Sequence, residues 1–182
     1  MIFVTVGTQL PFPRLISAMD AWSARNPETH VIAQTGEDIT ETPNVEVRTR
    51  VDASEFAEMV SQCELLVAHA GMGSILTALD LGKPVIVMPR QAALGEHRND
   101  HQLATAQKFG HLTNLQVVTS ADELDAAIHA FQTLGAQTID TPPASATAKQ
   151  LLDEVRAFVM GDGASATEAF FQPALYPTPV GA

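Results

Sequence analysis

His69-Ala70-Gly71-Met72-Gly73-Ser74, entered from the apolar run Leu65-Leu66-Val67-Ala68 and opening a helix near Ser74, is the segment whose reading decides the fold. A strand that stops at small residues and turns into a helix aims its backbone N–H groups at whatever sits beyond the strand end, the place where a diphosphate binds. Some two dozen residues on, Gly95-Glu96-His97-Arg98-Asn99-Asp100-His101-Gln102 follows a second apolar run, Val85 to Met88. Together the two segments read as a nucleotide-diphosphate site.

Working outward, short runs rich in Val and Ile alternate with segments of helical period, the pattern of a parallel sheet covered on both faces by helices. Strands are expected at 2–6, 30–34, 45–48, 64–68, 85–88 and 115–118. Pro13 suits a first helical turn, with Leu15, Ile16, Met19 and Trp22 as the apolar stripe behind it. Asp52 with Glu55, and Ser120 with Glu123, are spaced for helix N-capping. Residues 132–146, with the Pro142-Pro143 pair, read as a loop. Residues 147–159 place Leu151, Leu152, Val155, Phe158 and Val159 on one helix face. The division expected is a Rossmann-like domain over 1–160 and a Pro- and Ala-rich tail over 161–182, either flexible or docked on a partner or a second copy of the chain.

Composition narrows the function. The 182 residues are 46% apolar, enough for one domain with a sizeable core. Ten Lys and Arg against 21 Asp and Glu leave a formal charge of −11, with no electrostatic footprint for nucleic acid or anionic lipid. An anionic ligand must be held by local donors. Cys63 is the single cysteine, expected as a buried core residue in a cytoplasmic protein without a disulfide framework. Met1 to Val6 reads as a first strand and not a signal peptide, and no run approaches the ~18–20 apolar residues that span a bilayer.

In an open parallel sheet the loops leaving the carboxyl ends of the strands share one edge, and ligands bind there. That rule gathers Gly7-Thr8-Gln9, Gln34-Thr35-Gly36, His69 to Ser74 and Pro89 to Gln102 on one rim. Gly71 and Gly73 admit close backbone approach to phosphate, and equally satisfy ordinary turn geometry. Neither a dinucleotide fingerprint, nor a P-loop, nor a Gly-x-Ser-x-Gly elbow is present. The Glu96–Gln102 cluster admits three readings. His97 and His101 at i and i+4 of a helix, with Asp100 nearby, have metal-ligand spacing. A solvated polar face is the second. The third is ligand contact, with Arg90 or Arg98 on phosphate charge and Asp100 or Gln102 on ribose hydroxyls.

Val-Thr-Val-Gly-Thr at 4–8, His-Ala-Gly-x-Gly-Ser at 69–74, Gly-Lys-Pro at 82–84 ahead of a strand ending in Pro89, and Asp-His-Gln at 100–102 together resemble the glycosyltransferase family 28 C-terminal domain. The likeness spans roughly residues 1–131. It is similar, more narrowly, to the small subunits of two-component glycosyltransferases, with wording nearest the bacterial exopolysaccharide group. The resemblance implies the donor-binding half of a GT-B enzyme, with a membrane-associated partner supplying the acceptor half and recruiting the chain to the inner face of the membrane.

By that resemblance Gly71, Gly73 and Ser74 face the donor diphosphate, Asp100, His101 and Gln102 approach the ribose or sugar, and Gly7 and Thr8 lie near the leaving phosphate; Met72, Arg90, Glu96 and Arg98 complete the expected donor-binding set. It further implies inverting transfer from a UDP-sugar to a lipid-linked glycan, without a metal or other cofactor. His69 is the local candidate for general base, although the base is expected on the partner. Many family members carry an acidic residue where this chain has Thr77, and Asp80 lies one turn further on. A non-catalytic nucleotide-binding or regulatory module is the alternative.

Overall fold

The computed structural model describes residues 1–112 and 114–134. Their elements run β1 (Ile2–Thr5), α1 (Pro13–Arg25), β2 (Val31–Gln34), β3 (Glu46–Arg48), α2 (Ala53–Gln62), β4 (Leu65–His69), α3 (Met72–Asp80), β5 (Val85–Met88), α4 (His101–Phe109), β6 (Leu115–Val117) and α5 (Ala121–Leu134). A single 3-10 turn, Ala92–Leu94, lies between β5 and α4. All strand pairings are parallel and the strand order is β3-β2-β1-β4-β5-β6. This α/β Rossmann-like arrangement matches the expectation from the sequence, with strand bounds moved by one residue at half of the ends.

The four central strands are buried because they carry no alternation to expose, while the edge strands β3 and β6 are partly exposed. Every residue of β1, β2 and β5 is buried. One face packs on α1 and α5: Leu15, Ile16, Met19 and Trp22 from α1 meet Leu124, Ala127 and Ile128 from α5 in one cluster with Val4, Val67 and Ile86. Burying such a side chain is worth roughly 1.5–3 kcal/mol, so this layer is what holds the strand ends in register.

Local signals set the helix starts. Pro13 enters the first turn of α1 as expected. Asp52 caps α2 by accepting from the Ser54 and Glu55 N–H groups at 2.8 and 2.9 Å, and Glu55 accepts from the Asp52 N–H at 2.8 Å. At α5 the arrangement differs by one residue. Ser120 Oγ accepts from the Glu123 N–H, while the Glu123 carboxylate reaches past Ser120 to the N–H of Thr119 at 2.6 Å. Residues 132–134, expected as the start of a loop, belong to α5; the rest of that stretch lies outside the described residues. The helix expected over 147–159, the tail and the domain boundary lie outside the described residues.

The order of the sheet reverses between β1 and β4. Connections to one side of this pair lead to β2 and β3, and to the other side to β5 and β6, so the loops after β1 and β4 diverge and leave a crevice.

Candidate functional site

A cleft of about 620 Å³ opens at that switch point. The loop after β1 contributes Gly7 to Leu10, β2 ends in Gln34, and β4 with the start of α3 contributes His69, Gly71 to Ser74 and Thr77. Arg90, His97 and Gln102 close it from the β5 side. The edge rule therefore brought four separated segments to one place.

It also covers a fifth segment that the sequence reading passed over. Val51 to Ala53, with Phe56 and Ala57 of α2, line the far end of the cleft. The signal was available: β3 is parallel to β2, so the loop leaving it belongs to the same edge.

Three glycines of the site have three different reasons. Gly7 has φ +78°, a left-handed conformation that a side chain disfavours. Its turn is fixed by Thr5 Oγ1, which accepts from the Gly7 N–H at 3.1 Å, and by Gln34 Nε2, which donates to the Gly7 carbonyl at 3.0 Å. Gly71 has an ordinary φ of −86°, yet a Cβ there would lie 2.2 Å from His69 Nε2. Gly73 is helical, and a Cβ on it would meet nothing within 4 Å. Neither backbone nor packing requires glycine at 73.

The N-terminus of α3 is uncapped. Gly71 stands at the N-cap without a side chain, and the first backbone bond into the helix runs from the Ile75 N–H to the Gly71 carbonyl at 3.2 Å. The N–H groups of Met72, Gly73 and Ser74 precede that bond at the cleft, where the helix macrodipole favours negative charge. Thr77 lines the cleft where the resemblance leads one to expect a carboxylate. Its hydroxyl donates back to the Gly73 carbonyl at 2.9 Å, and Asp80 is not among the lining residues.

Arg90 occupies a different place from the one its charge suggests. It is only 2% exposed, and its guanidinium donates to the carbonyls of Val6 at 2.9 Å, of Leu10 at 2.5 Å and of Pro11, while lying over the Phe12 ring. Burial lowers its pKa from the guanidinium value, and the charges of Glu96 and Asp38 work in the opposite direction. Its donors are thus committed to the backbone of the loop after β1, which it clamps.

Glu96 is also engaged internally. Its carboxylate pairs with Arg14 through two bonds, of 2.6 and 2.8 Å, and accepts from the Gln91 N–H at 2.9 Å. Burial raises its pKa, but the bonds from Arg14 and Gln91 outweigh that and hold it below the ordinary carboxylate value.

Asp100 accepts from the Ala92 N–H at 2.9 Å, and the Gln102 amide oxygen accepts from the Arg90 N–H at 3.1 Å. These turned-back bonds keep 96–100 out of a helix, so α4 begins only at His101. The i, i+4 helical pairing of His97 and His101 is therefore overturned: His97 sits in the loop with Nδ1 against Asn99. Among the described residues no group of three or more His, Cys, Asp or Glu is placed to hold a metal. Glu96, Arg98, Asp100 and His101 stand outside the cleft lining, whereas Gly7, Thr8, Gly71, Met72, Gly73, Ser74, Arg90 and Gln102 are within it.

His69 lies at the centre. Burial, and next the charge of Arg90, bring its pKa down to about 4, so the ring is neutral at pH 7. Its Nδ1 is buried with no hydrogen-bond partner among the described residues. A base so weak accepts a proton poorly near neutrality. Cys63 is buried, as expected, and burial raises its thiol to about 11.

Comparison with known proteins bears on fold and family. The chain is 32% identical over 82 residues to "UDP-N-acetylglucosamine transferase subunit ALG13" of Candida albicans (strain SC5314 / ATCC MYA-2876), a match covering 45% of this chain and 26% of that protein's length. Among solved structures, the NMR structure of ALG13 aligns with 22% identity and TM-score 0.53 over 72% of this chain and 85% of that one. The kitacinnamycin glycotransferase aligns with 24% identity and TM-score 0.60 over 86% of this chain and 39% of its own. MurG of Acinetobacter baumannii aligns with 14% identity and TM-score 0.56 over 85% and 49% respectively. At these identities the structural likenesses establish the fold, and the chain spans less than half of the latter two. The family model described as "Glycosyltransferase family 28 C-terminal domain" matches residues 1–155, further than the motifs alone reach. With an uncapped helix at a Rossmann switch point and a match over most of its length, the chain belongs to the glycosyltransferase family 28 C-terminal domain family.

Proposed function

We propose that this chain is the donor-binding subunit of an inverting glycosyltransferase, holding a UDP-sugar with its diphosphate at the N-terminus of α3. The observation that carries the reading is Gly73. Neither conformation nor packing asks for glycine there, and the position faces a cleft beside three uncapped N–H groups. An approaching phosphate is the remaining physical reason for a bare backbone.

The acceptor is a lipid-linked glycan in exopolysaccharide assembly, presented by a membrane-associated partner that recruits this chain to the cytoplasmic face. No helix among the described residues is long and apolar enough to cross a membrane. In transfer, an acceptor hydroxyl forms the new bond at the anomeric carbon, the bond from that carbon to the diphosphate breaks, and UDP departs with the electron pair. This chain stabilises the charge that develops on the diphosphate through the α3 N–H groups. The hydroxyl proton passes to a base on the partner, since His69 is held neutral with a pKa of about 4. The roles of Gly7 and Thr8 beside the leaving phosphate, and of Gln102 beside the ribose or sugar, belong to the same reading.

Calorimetric titration of the purified chain with UDP, ADP and GDP tests it. Selective UDP binding that is lost in Gly73→Asp supports the donor site. An assembled complex that binds UDP and transfers no sugar would support a regulatory module instead.

A further inference from the structure

The imidazole of His69 lies in a slot between two backbones. A Cβ on Gly7 would stand 2.6 Å from its Cε1 and 2.7 Å from its Nε2, and a Cβ on Gly71 would stand 2.2 Å from Nε2 and 2.9 Å from both Cδ2 and Cε1. These separations are far inside carbon–nitrogen contact. The ring turns about two torsions only and its Nδ1 edge is buried, so a Cβ on either glycine would have to push the ring out of the place it holds between the two loops. Gly71 has an unstrained φ, so beyond the modest N-cap preference for glycine over alanine its backbone does not demand glycine. Its lack of a side chain is accounted for by the ring beside it.

We infer that His69 is a positioning residue: its imidazole is the spacer that sets the separation of the loop after β1 from the turn into α3, and so places the backbone that faces the diphosphate. Gly71 is glycine to admit this spacer, whereas Gly73 is glycine to admit ligand. The inference deepens the donor-site reading and rests on it for the identity of the ligand. The spacer itself is independent of any ligand.

The test is a double-mutant cycle in the full chain with Gly71→Ala, His69→Ala and the pair, followed by thermal melting and by titration with UDP and with uridine. Gly71→Ala is expected to lower the melting temperature by several degrees when His69 is present and by markedly less, the N-cap cost alone, in the His69→Ala background. If Gly71→Ala alone fails to fold, a folded double variant is the same rescue. Gly7→Ala serves as the contrast: its φ of +78° is strained in both backgrounds, so removing the ring rescues it only in part.

His69→Ala is expected to weaken UDP at least tenfold and uridine less than threefold, because the spacer sets the phosphate-facing loops and not the nucleoside end. Equal costs of Gly71→Ala in the two backgrounds, or equal losses for UDP and uridine, would overturn the inference. A wild-type chain that shows the melting coupling but binds no nucleotide would overturn the donor reading and leave the spacer supported.

Discussion

Replacing Gly73 by aspartate separates stability from ligand binding with one atom group. The position is the second residue of α3, exposed, with open space where the side chain would grow. Aspartate has somewhat better helix propensity than glycine, and a carboxylate in the first turn interacts favourably with the macrodipole by ~0.3–1 kcal/mol. The unliganded variant is therefore expected to melt a few degrees higher, about 2–4 °C per kcal/mol for a chain of this size. A diphosphate at the same helix end meets the opposite effect. Two charges about 5 Å apart at an effective dielectric of about 20 repel by about 3 kcal/mol, roughly a hundredfold in affinity.

Gly73→Ala isolates the steric part and is expected to cost less than tenfold. The assay pairs a melting curve with calorimetric titration of UDP for each variant. A folded Gly73→Asp chain that binds UDP within threefold of wild type would refute the placement of the diphosphate. A large drop in melting temperature would refute the open space at Gly73.

Other outcomes follow from the same geometry. Folded His69 takes its proton near pH 4 and an unfolded histidine near 6.5, so the unfolded chain binds the proton first. Stability accordingly falls as pH drops from about 6.5 to about 4, by up to roughly 3 kcal/mol; urea unfolding of wild type and His69→Asn across that window checks it, with a flatter dependence expected for the variant. Arg90→Met strips three carbonyls of their donor and should cost about 3 kcal/mol or more, with loss of UDP binding as the loop after β1 relaxes. Asp52→Ala removes the capping box of α2 and should cost ~1 kcal/mol by denaturant midpoint. Cys63, buried with its thiol raised to about 11, should react with a thiol reagent at pH 8 only on the timescale of opening, and fast labelling of native protein would contradict its placement.

The centre of the sheet was legible because β1, β2, β4 and β5 are predominantly apolar runs, and parallel strands buried on both faces need nothing subtler. The rim was legible from topology alone: once 2–6, 64–68 and 85–88 are read as parallel strands, Gly7, Gly71 and Gln102 must share an edge. What escaped the reading is where a side chain's direction decides its role. Arg90 reads as a phosphate ligand in sequence, but whether a guanidinium points out to a ligand or inward to the Val6, Leu10 and Pro11 carbonyls depends on partners about eighty residues away. Helical spacing of His97 and His101 presumes a helix, and the carboxylates of Glu96 and Asp100 bond Gln91 and Ala92 instead, so the loop persists to residue 100. Gly71 and Gly73 look alike in the chain, and only the ring of His69 distinguishes them.

The clamp of Arg90 on the loop after β1 has a consequence for how the site comes into being. The first polar loop of the cleft, Gly7 to Leu10, directly follows β1, yet the group that shapes it is supplied 84 positions after Val6. During synthesis β1 and its loop emerge before β5 and must wait for it to be made and docked before that loop has its working geometry. The loop geometry on which the proposed donor site rests thus arrives late, as a property of the assembled sheet, and a fragment ending before residue 90 carries Gly7, Gly71 and Gly73 without the clamp that arranges the first loop.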